Sequence, residues 1–216
     1  MSMTLNPVNE AAFQKAVQSL ETLNRAAVFH PTGTGKSCIA WKVVEAHPQT
    51  TFFWLVAGAQ RLALRQAELT RYNGGTLPGN VRFCDCEKLA AATPEQWVRL
   101  GEQKPGCIVL DCYHELSAVC WAQSVQKLLR MCPQAKVLGL GVPNGAPVCA
   151  AAQELFADCI VSHMTVAEAM AAGTMPVPSA YAALLWPQEE ELTTLRARIK
   201  NLCMPKGDTS LRVQYE

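Results

Sequence analysis

The chain has 216 residues, half of them hydrophobic, and 19 Lys and Arg against 18 Asp and Glu give a formal charge of +1. That is long enough to bury a full core and too apolar for disorder, and a balanced charge without a dense basic run excludes the electrostatic footprint of tight nucleic-acid binding by this segment alone. Met1 to Pro7 lack the basic start and apolar stretch of a signal peptide, and no run of about 18 apolar residues follows, so the expectation is a cytoplasmic protein with no membrane contact.

Asn6 followed by Pro7 reads as a helix start, with Phe13, Val17, Leu20 and Leu23 at helical spacing. The β-like run Ala26-Ala27-Val28-Phe29 then leads into His30-Pro31-Thr32-Gly33-Thr34-Gly35-Lys36-Ser37, and Cys38 to Val44 reads as a helix. Strand, glycine-bearing loop and Gly-Lys-Ser at a helix start are the parts of a phosphate-binding P-loop. Gly33 and Gly35 free the backbone to turn its amides toward phosphate oxygens. Lys36 supplies a point charge for the β- and γ-phosphates, and Ser37 offers a hydroxyl to Mg²⁺. His30 stands where the strict pattern has its first glycine.

The apolar run Thr51 to Val56 suits a strand buried on both faces. A helix from about Gln60 to Tyr72, the turn Asn73-Gly74-Gly75 and a strand Val81 to Cys84 follow, and Thr93-Pro94-Glu95-Gln96 is a capping box. Cys107 to Leu110 is the next buried strand and ends in Asp111-Cys112-Tyr113-His114. An aspartate there lies where a doubly wound sheet binds its ligand, and it is the expected second Mg²⁺-directed group beside Ser37. A helix carrying Trp121, Val125, Leu128 and Leu129 precedes a strand over Ala135 to Leu140, which ends in Gly141-Val142-Pro143. Thr165-Val166-Ala167-Glu168 is a second capping box with Gly173 as the stop, and Leu192, Leu195, Ile199 and Leu202 mark a last helix. This β–α alternation predicts an α/β fold with a mainly parallel sheet and helices on both faces. The ten cysteines are scattered through the elements and read as reduced, buried thiols; only Cys84-Asp85-Cys86 is closely spaced, with no second pair to complete a zinc site.

The order of Pro31-Thr32-Gly33-Thr34-Gly35-Lys36-Ser37, Trp54 to Ala57, Ile108 to His114 and Val137 to Pro143 resembles the first RecA-like domain of bacterial DEAD/DEAH-box helicases. The closest form is the group related to restriction-enzyme motor subunits. The likeness runs from about Phe13 to Leu202, and Phe156 to Pro178 resembles the stretch leading out of that domain. It implies a RecA-like P-loop NTPase fold over residues 1–178. Residues 179–216 would then be an extension or linker helix toward a second RecA-like domain, absent from this chain, that supplies arginines to the phosphate. It further implies ATP or ADP with Mg²⁺ as ligand, DNA or RNA as weak partner, and an upstream glutamine on the adenine, for which Gln14 and Gln18 are the candidates.

Motifs II and III depart from the family. Cys112 occupies the place of the glutamate that deprotonates the attacking water, and a thiol, mostly neutral at pH 7, is a poor substitute. Gly141-Val142-Pro143 replaces the Thr-Ala-Thr-Pro segment, which removes both coupling hydroxyls; His114 keeps the last letter of motif II and is either a coupling or a structural histidine. The expectation is a helicase-type domain that binds Mg-ATP and hydrolyses it weakly or not at all. The alternatives are an ATPase completed by a partner, with Glu115 as a substitute base, and an interaction module with a vestigial nucleotide site. A redox role for Cys112 beside the phosphate site ranks below its being a small residue tolerated where catalysis is not required.

Overall fold

From Pro7 onward, short apolar runs alternate with helices, and the period-two and helical patterns settle which side of each element is covered. The computed structural model describes residues 3–111, 113–115, 118–143, 150–177 and 193–194. Helix α1 (Pro7–Thr22) is capped by the Asn6 side chain, which accepts from the Asn9 amide. Strand β1 (Arg25–Phe29), helix α2 (Lys36–Ala46), strand β2 (Phe52–Val56) and helix α3 (Ala59–Tyr72) follow. Then come β3 (Val81–Asp85), the short α4 (Cys86–Ala90), α5 (Pro94–Glu102) and β4 (Cys107–Asp111). A 3₁₀ turn over Tyr113–Glu115 leads to α6 (Ala118–Cys120), which widens into a π-helical turn at Trp121–Val125 and continues as α7 (Gln126–Met131). Strand β5 (Lys136–Gly141), helix α8 (Ala150–Phe156), strand β6 (Ile160–His163) and helix α9 (Val166–Ala171) complete the described elements.

The six strands form one sheet in the order β3-β2-β4-β5-β1-β6, and every pairing is parallel. Side-chain alternation divides the core into two layers. Val28, Trp54, Val109 and Leu140 meet Ala12, Ala16 and Leu20 of α1, Ile39 and Val43 of α2, and Leu69 of α3. Ala27, Phe53, Ile108 and Leu110 meet Trp97 of α5, Trp121 and Val125 of the π turn, Leu128 of α7 and Phe156 of α8. This wholly parallel sheet with helices on both faces is the α/β architecture expected from the sequence and is consistent with a RecA-like fold. No helix among the described residues is long and apolar enough to cross a membrane.

Strand β6, α4 and the π turn are not among the sequence expectations. Asp85 caps α4 by accepting from the Glu87 amide at 3.0 Å, and the flanking Cys84 and Cys86 are buried. Burial pushes the Cys84 thiol up to about 12, and Cys86 is raised as well. The chain divides into two units, Met1–Val177 and Pro178–Glu216. In the second, only Thr193 and Thr194 are described, and they are helical. The helix expected near Glu189 to Leu202 otherwise lies outside the described residues.

Candidate functional site

In a parallel sheet every strand's carboxyl end opens on the same edge, and there β1 hands the chain to the loop 30–35. Gly33 and Gly35 have φ of +88° and +89°, values that a residue with a Cβ adopts only under strain. A Cβ on Gly33 would meet nothing within 4 Å, whereas one on Gly35 would lie 2.8 Å from the Asn9 side-chain nitrogen. Gly35 is also the left-handed N-cap of α2 and has no side chain to cover the helix's first amides. Uncovered first amides and the positive end of the helix dipole are the features that favour an anion at such a position.

The loop is stitched to itself and to its neighbours. The Pro31 carbonyl accepts from the Thr34 hydroxyl at 2.8 Å and from Lys36 Nζ at 2.9 Å, and Lys36 Nζ also donates to the His30 carbonyl at 2.8 Å. Lys36 is thus folded back onto the loop that it follows, its ammonium donating to two of the loop's carbonyls. Asn9 of α1 donates to the Thr34 carbonyl at 2.8 Å, and the buried Asn9 Oδ1 has no hydrogen-bond partner. Thr32 and Gly33 are exposed at the tip, and Ser37, on the first turn of α2, is half-buried.

His30 is wholly buried, with Nε2 2.7 Å from the Ser162 hydroxyl of β6. Burial first, then the Lys36 ammonium and His163, lower its pKa to about 4, so the ring is neutral at pH 7. Its amide donates to the Gly141 carbonyl at 3.2 Å, which ties the loop to the end of β5.

Asp111 ends β4 on the same face of the sheet as Val109 and Trp54, the face that α3 covers. It is 2% exposed, and its Oδ2 accepts from the Trp54 indole at 3.1 Å and from Arg65 Nε at 2.5 Å. Glu68, one turn along α3, takes the other end of the Arg65 guanidinium. Burial works against the Arg65 charge, but Asp111 and Glu68 outweigh it and raise its pKa. Beside this pair, His114 is half-buried, and its pKa is lowered by burial and then by Lys36 and Arg61, against the pull of Asp111. Lys36, Arg61, Asp111 and His114 therefore share one electrostatic neighbourhood. Oδ2 already accepts from a guanidinium and an indole, so a cation expected between Ser37 and Asp111 would have to use Oδ1 of a carboxylate that is already ion-paired.

Of the residues singled out in the sequence, the structure gathers Thr32 to Ser37, Asp111 and His114 at this edge. It leaves Gln14 on the exposed side of α1, donating to Glu10 at 2.9 Å, and Gln18 is exposed too. The α1 side chain that reaches the loop is Asn9. Cys112 and the Glu115 side chain lie outside the described residues. Sequence reading also missed Arg65 and the Ser162 partner of His30. No local signal marks them, because each reaches the site from another element. The 430 Å³ cavity between α2 and the chain before β3, lined by Trp41, Tyr72 and Pro78 among others, shares no residue with the phosphate loop.

Behind the loop, β5 carries two glycines for packing. A Cβ on Gly139 would lie 2.6 Å from the Phe156 ring, and one on Gly141 would lie 2.9 Å from the Phe29 ring. The Tyr113 ring meets both, edge-on to Phe29 with centroids 5.9 Å apart and tilted against Phe156 with centroids 5.2 Å apart. This aromatic cluster anchors Tyr113 against the end of β5.

No family model matches the sequence, and no curated protein was found to be similar. Among solved structures, the chain is similar to an arterivirus nonstructural protein 10, a helicase in complex with DNA, at 18% identity and a TM-score of 0.41. The likeness covers 71% of this chain and 37% of that one, so the chain spans little more than a third of that protein's length. A likeness of this degree says nothing about the residues of the site.

Proposed function

We propose that the chain is a helicase-type nucleotide-binding domain that takes the phosphates of ATP or ADP on the loop 30–37 and turns ATP over slowly or not at all. One observation carries the reading. A loop with two positive-φ glycines, closed on its own carbonyls by Lys36, joins an interior parallel strand to a helix at the sheet's carboxyl edge. Phosphate oxygens at that loop would meet the first amides of α2 and an ammonium that could exchange carbonyl for phosphate partners. Asn9, with one buried oxygen unpartnered beside the loop, suits the recognition of an amino group and is a better candidate for the base than Gln14.

Slow turnover is read from the sequence: Cys112 stands where the resembling family has its general base, and removing such a base costs about 10²- to 10⁴-fold in rate. Action on DNA or RNA and pairing with a second RecA-like domain belong to the same proposal and rest on the motif order alone. Calorimetric titration of ATP and ADP into the pure chain tests the core of it. Micromolar affinity lost in Lys36→Ala is the expected result, and no binding up to millimolar nucleotide refutes it. Steady-state turnover equal to that of intact helicases would refute the slow-turnover part.

A further inference from the structure

In the described site the carboxylate expected to face a divalent cation already has a cation of its own. Arg65 Nε lies 2.5 Å from Asp111 Oδ2, with Arg65 17% and Asp111 2% exposed, and the Trp54 indole donates to the same oxygen at 3.1 Å. The guanidinium is not a loose side chain that wandered in. Glu68, three residues on along α3, holds its far end, and an (i, i+3) pair on one helix face orients the fork toward the sheet. The strand supports the same geometry. Asp111 follows Cys107 and Val109 in the period-two alternation, so its side chain must emerge on the face that α3 covers.

Mg²⁺ demands near-octahedral oxygen ligands and gives up its water reluctantly. Here Oδ2 is already taken by the indole and the guanidinium, so the ion would have to bind through Oδ1 of a carboxylate whose charge Arg65 neutralises, with that guanidinium as its neighbour. Lys36 and Arg61, which share the electrostatic neighbourhood of Asp111 and His114, are the cations that would meet phosphate charge in place of the metal.

We propose that Arg65 is the resident counter-ion of Asp111 in place of a divalent metal, and that the ligand of this site is a free nucleoside di- or triphosphate rather than its magnesium complex. The proposal rests on the nucleotide-binding reading above and narrows it: a domain that takes metal-free nucleotide binds without the ion that phosphoryl transfer requires, which agrees with the missing base at Cys112.

The test is calorimetry of ADP and ATP with the full chain, once in EDTA and once in excess Mg²⁺. The expected result is an affinity in EDTA at least equal to that in Mg²⁺, with Mg²⁺ weakening the apparent binding severalfold as it sequesters the nucleotide. A tightening by Mg²⁺ of more than threefold overturns the proposal and leaves the nucleotide-binding reading intact. No binding in either buffer overturns both. Spin resonance of Mn²⁺ supplies a second readout that needs no variant: adding the chain to Mn²⁺–ADP should raise the free Mn²⁺ signal, and a fall in that signal overturns the proposal. Arg65→Met, which keeps the stem and removes the counter-ion, should bring at least a tenfold gain in affinity on adding Mg²⁺. If circular dichroism shows that variant unfolded, the two wild-type measurements decide alone.

Discussion

His30 is wholly buried, next to an ammonium, and its ring is held by one hydroxyl of β6. A folded pKa of about 4 against an ordinary 6.5 means that the unfolded chain binds the proton more readily. Stability from this group is therefore complete above pH 6.5 and drains away as the pH falls toward 4, by about 3 kcal/mol in all. His114, lowered for a similar reason, adds a slope of the same sign. Urea midpoints measured between pH 7.5 and 4.5 should fall with pH, and His30→Gln, which keeps a polar group for Ser162, should flatten the curve by most of that amount. An unchanged slope in the variant would place the titration elsewhere. Gly35→Ala tests the loop itself. It forces an alanine to φ +89° and drives Cβ to 2.8 Å from the Asn9 nitrogen, so it should cost about 1–3 kcal/mol in stability and weaken nucleotide affinity tenfold or more. Calorimetry beside a denaturation curve separates the two losses. The glycines, Lys36 and Asp111 were legible in the sequence because a phosphate loop is a contiguous pattern and a strand-end aspartate has a known place. Asn9, Arg65 and Ser162 were not, because side chains meeting across 25, 46 and 132 residues of chain leave no local trace.

Among the elements, β5 shows why a strand in this fold carries two glycines. Without side chains, Gly139 and Gly141 let the Phe156 and Phe29 rings lie against the backbone, and Tyr113 locks the two together. Gly139→Ala inserts a methyl 2.6 Å from a ring that is 2% exposed, an overpacking error worth about 1–3 kcal/mol. In a Phe156→Leu background the same methyl has room, so the alanine should cost at least 0.5 kcal/mol less, on the order of the coupling seen between residues in contact. Additive losses in that double-mutant cycle would show that Gly139 is constrained by something other than Phe156. The strands β1 to β5 and both capping boxes were readable because their apolar runs and Thr-x-x-Gln or Thr-x-x-Glu patterns are complete in themselves. Strand β6 was not: it is an edge strand of four residues with both ends exposed, and its polar residues Ser162 and His163 make no apolar run. The π turn was equally hidden, since Trp121 and Val125 keep helical spacing while Ser124 bonds back to the Cys120 carbonyl.

At the scale of the whole molecule, the phosphate loop is a junction rather than an appendage. Asn9 ties it to α1, the His30 ring ties it to β6, the His30 amide ties it to β5, and Lys36 begins α2. A ligand ordered by the loop therefore bears on four elements that melt together, and its binding energy should appear as stability of the unit Met1–Val177. For a ligand at a hundred times its dissociation constant, that linkage is worth about 2.7 kcal/mol. At about 2–4 °C per kcal/mol for a domain of this size, ADP should raise the melting temperature by roughly 5–10 °C. Lys36→Ala should abolish the shift and also lower the unliganded melting temperature by several degrees, because the carbonyls that lose the ammonium belong to the buried His30 and Pro31. If Arg65 is the counter-ion of Asp111, the shift should be at least as large in EDTA as in Mg²⁺. A shift seen only with Mg²⁺ would instead mean that the metal complex is the ligand and that Arg65 does not take the ion's place at Asp111.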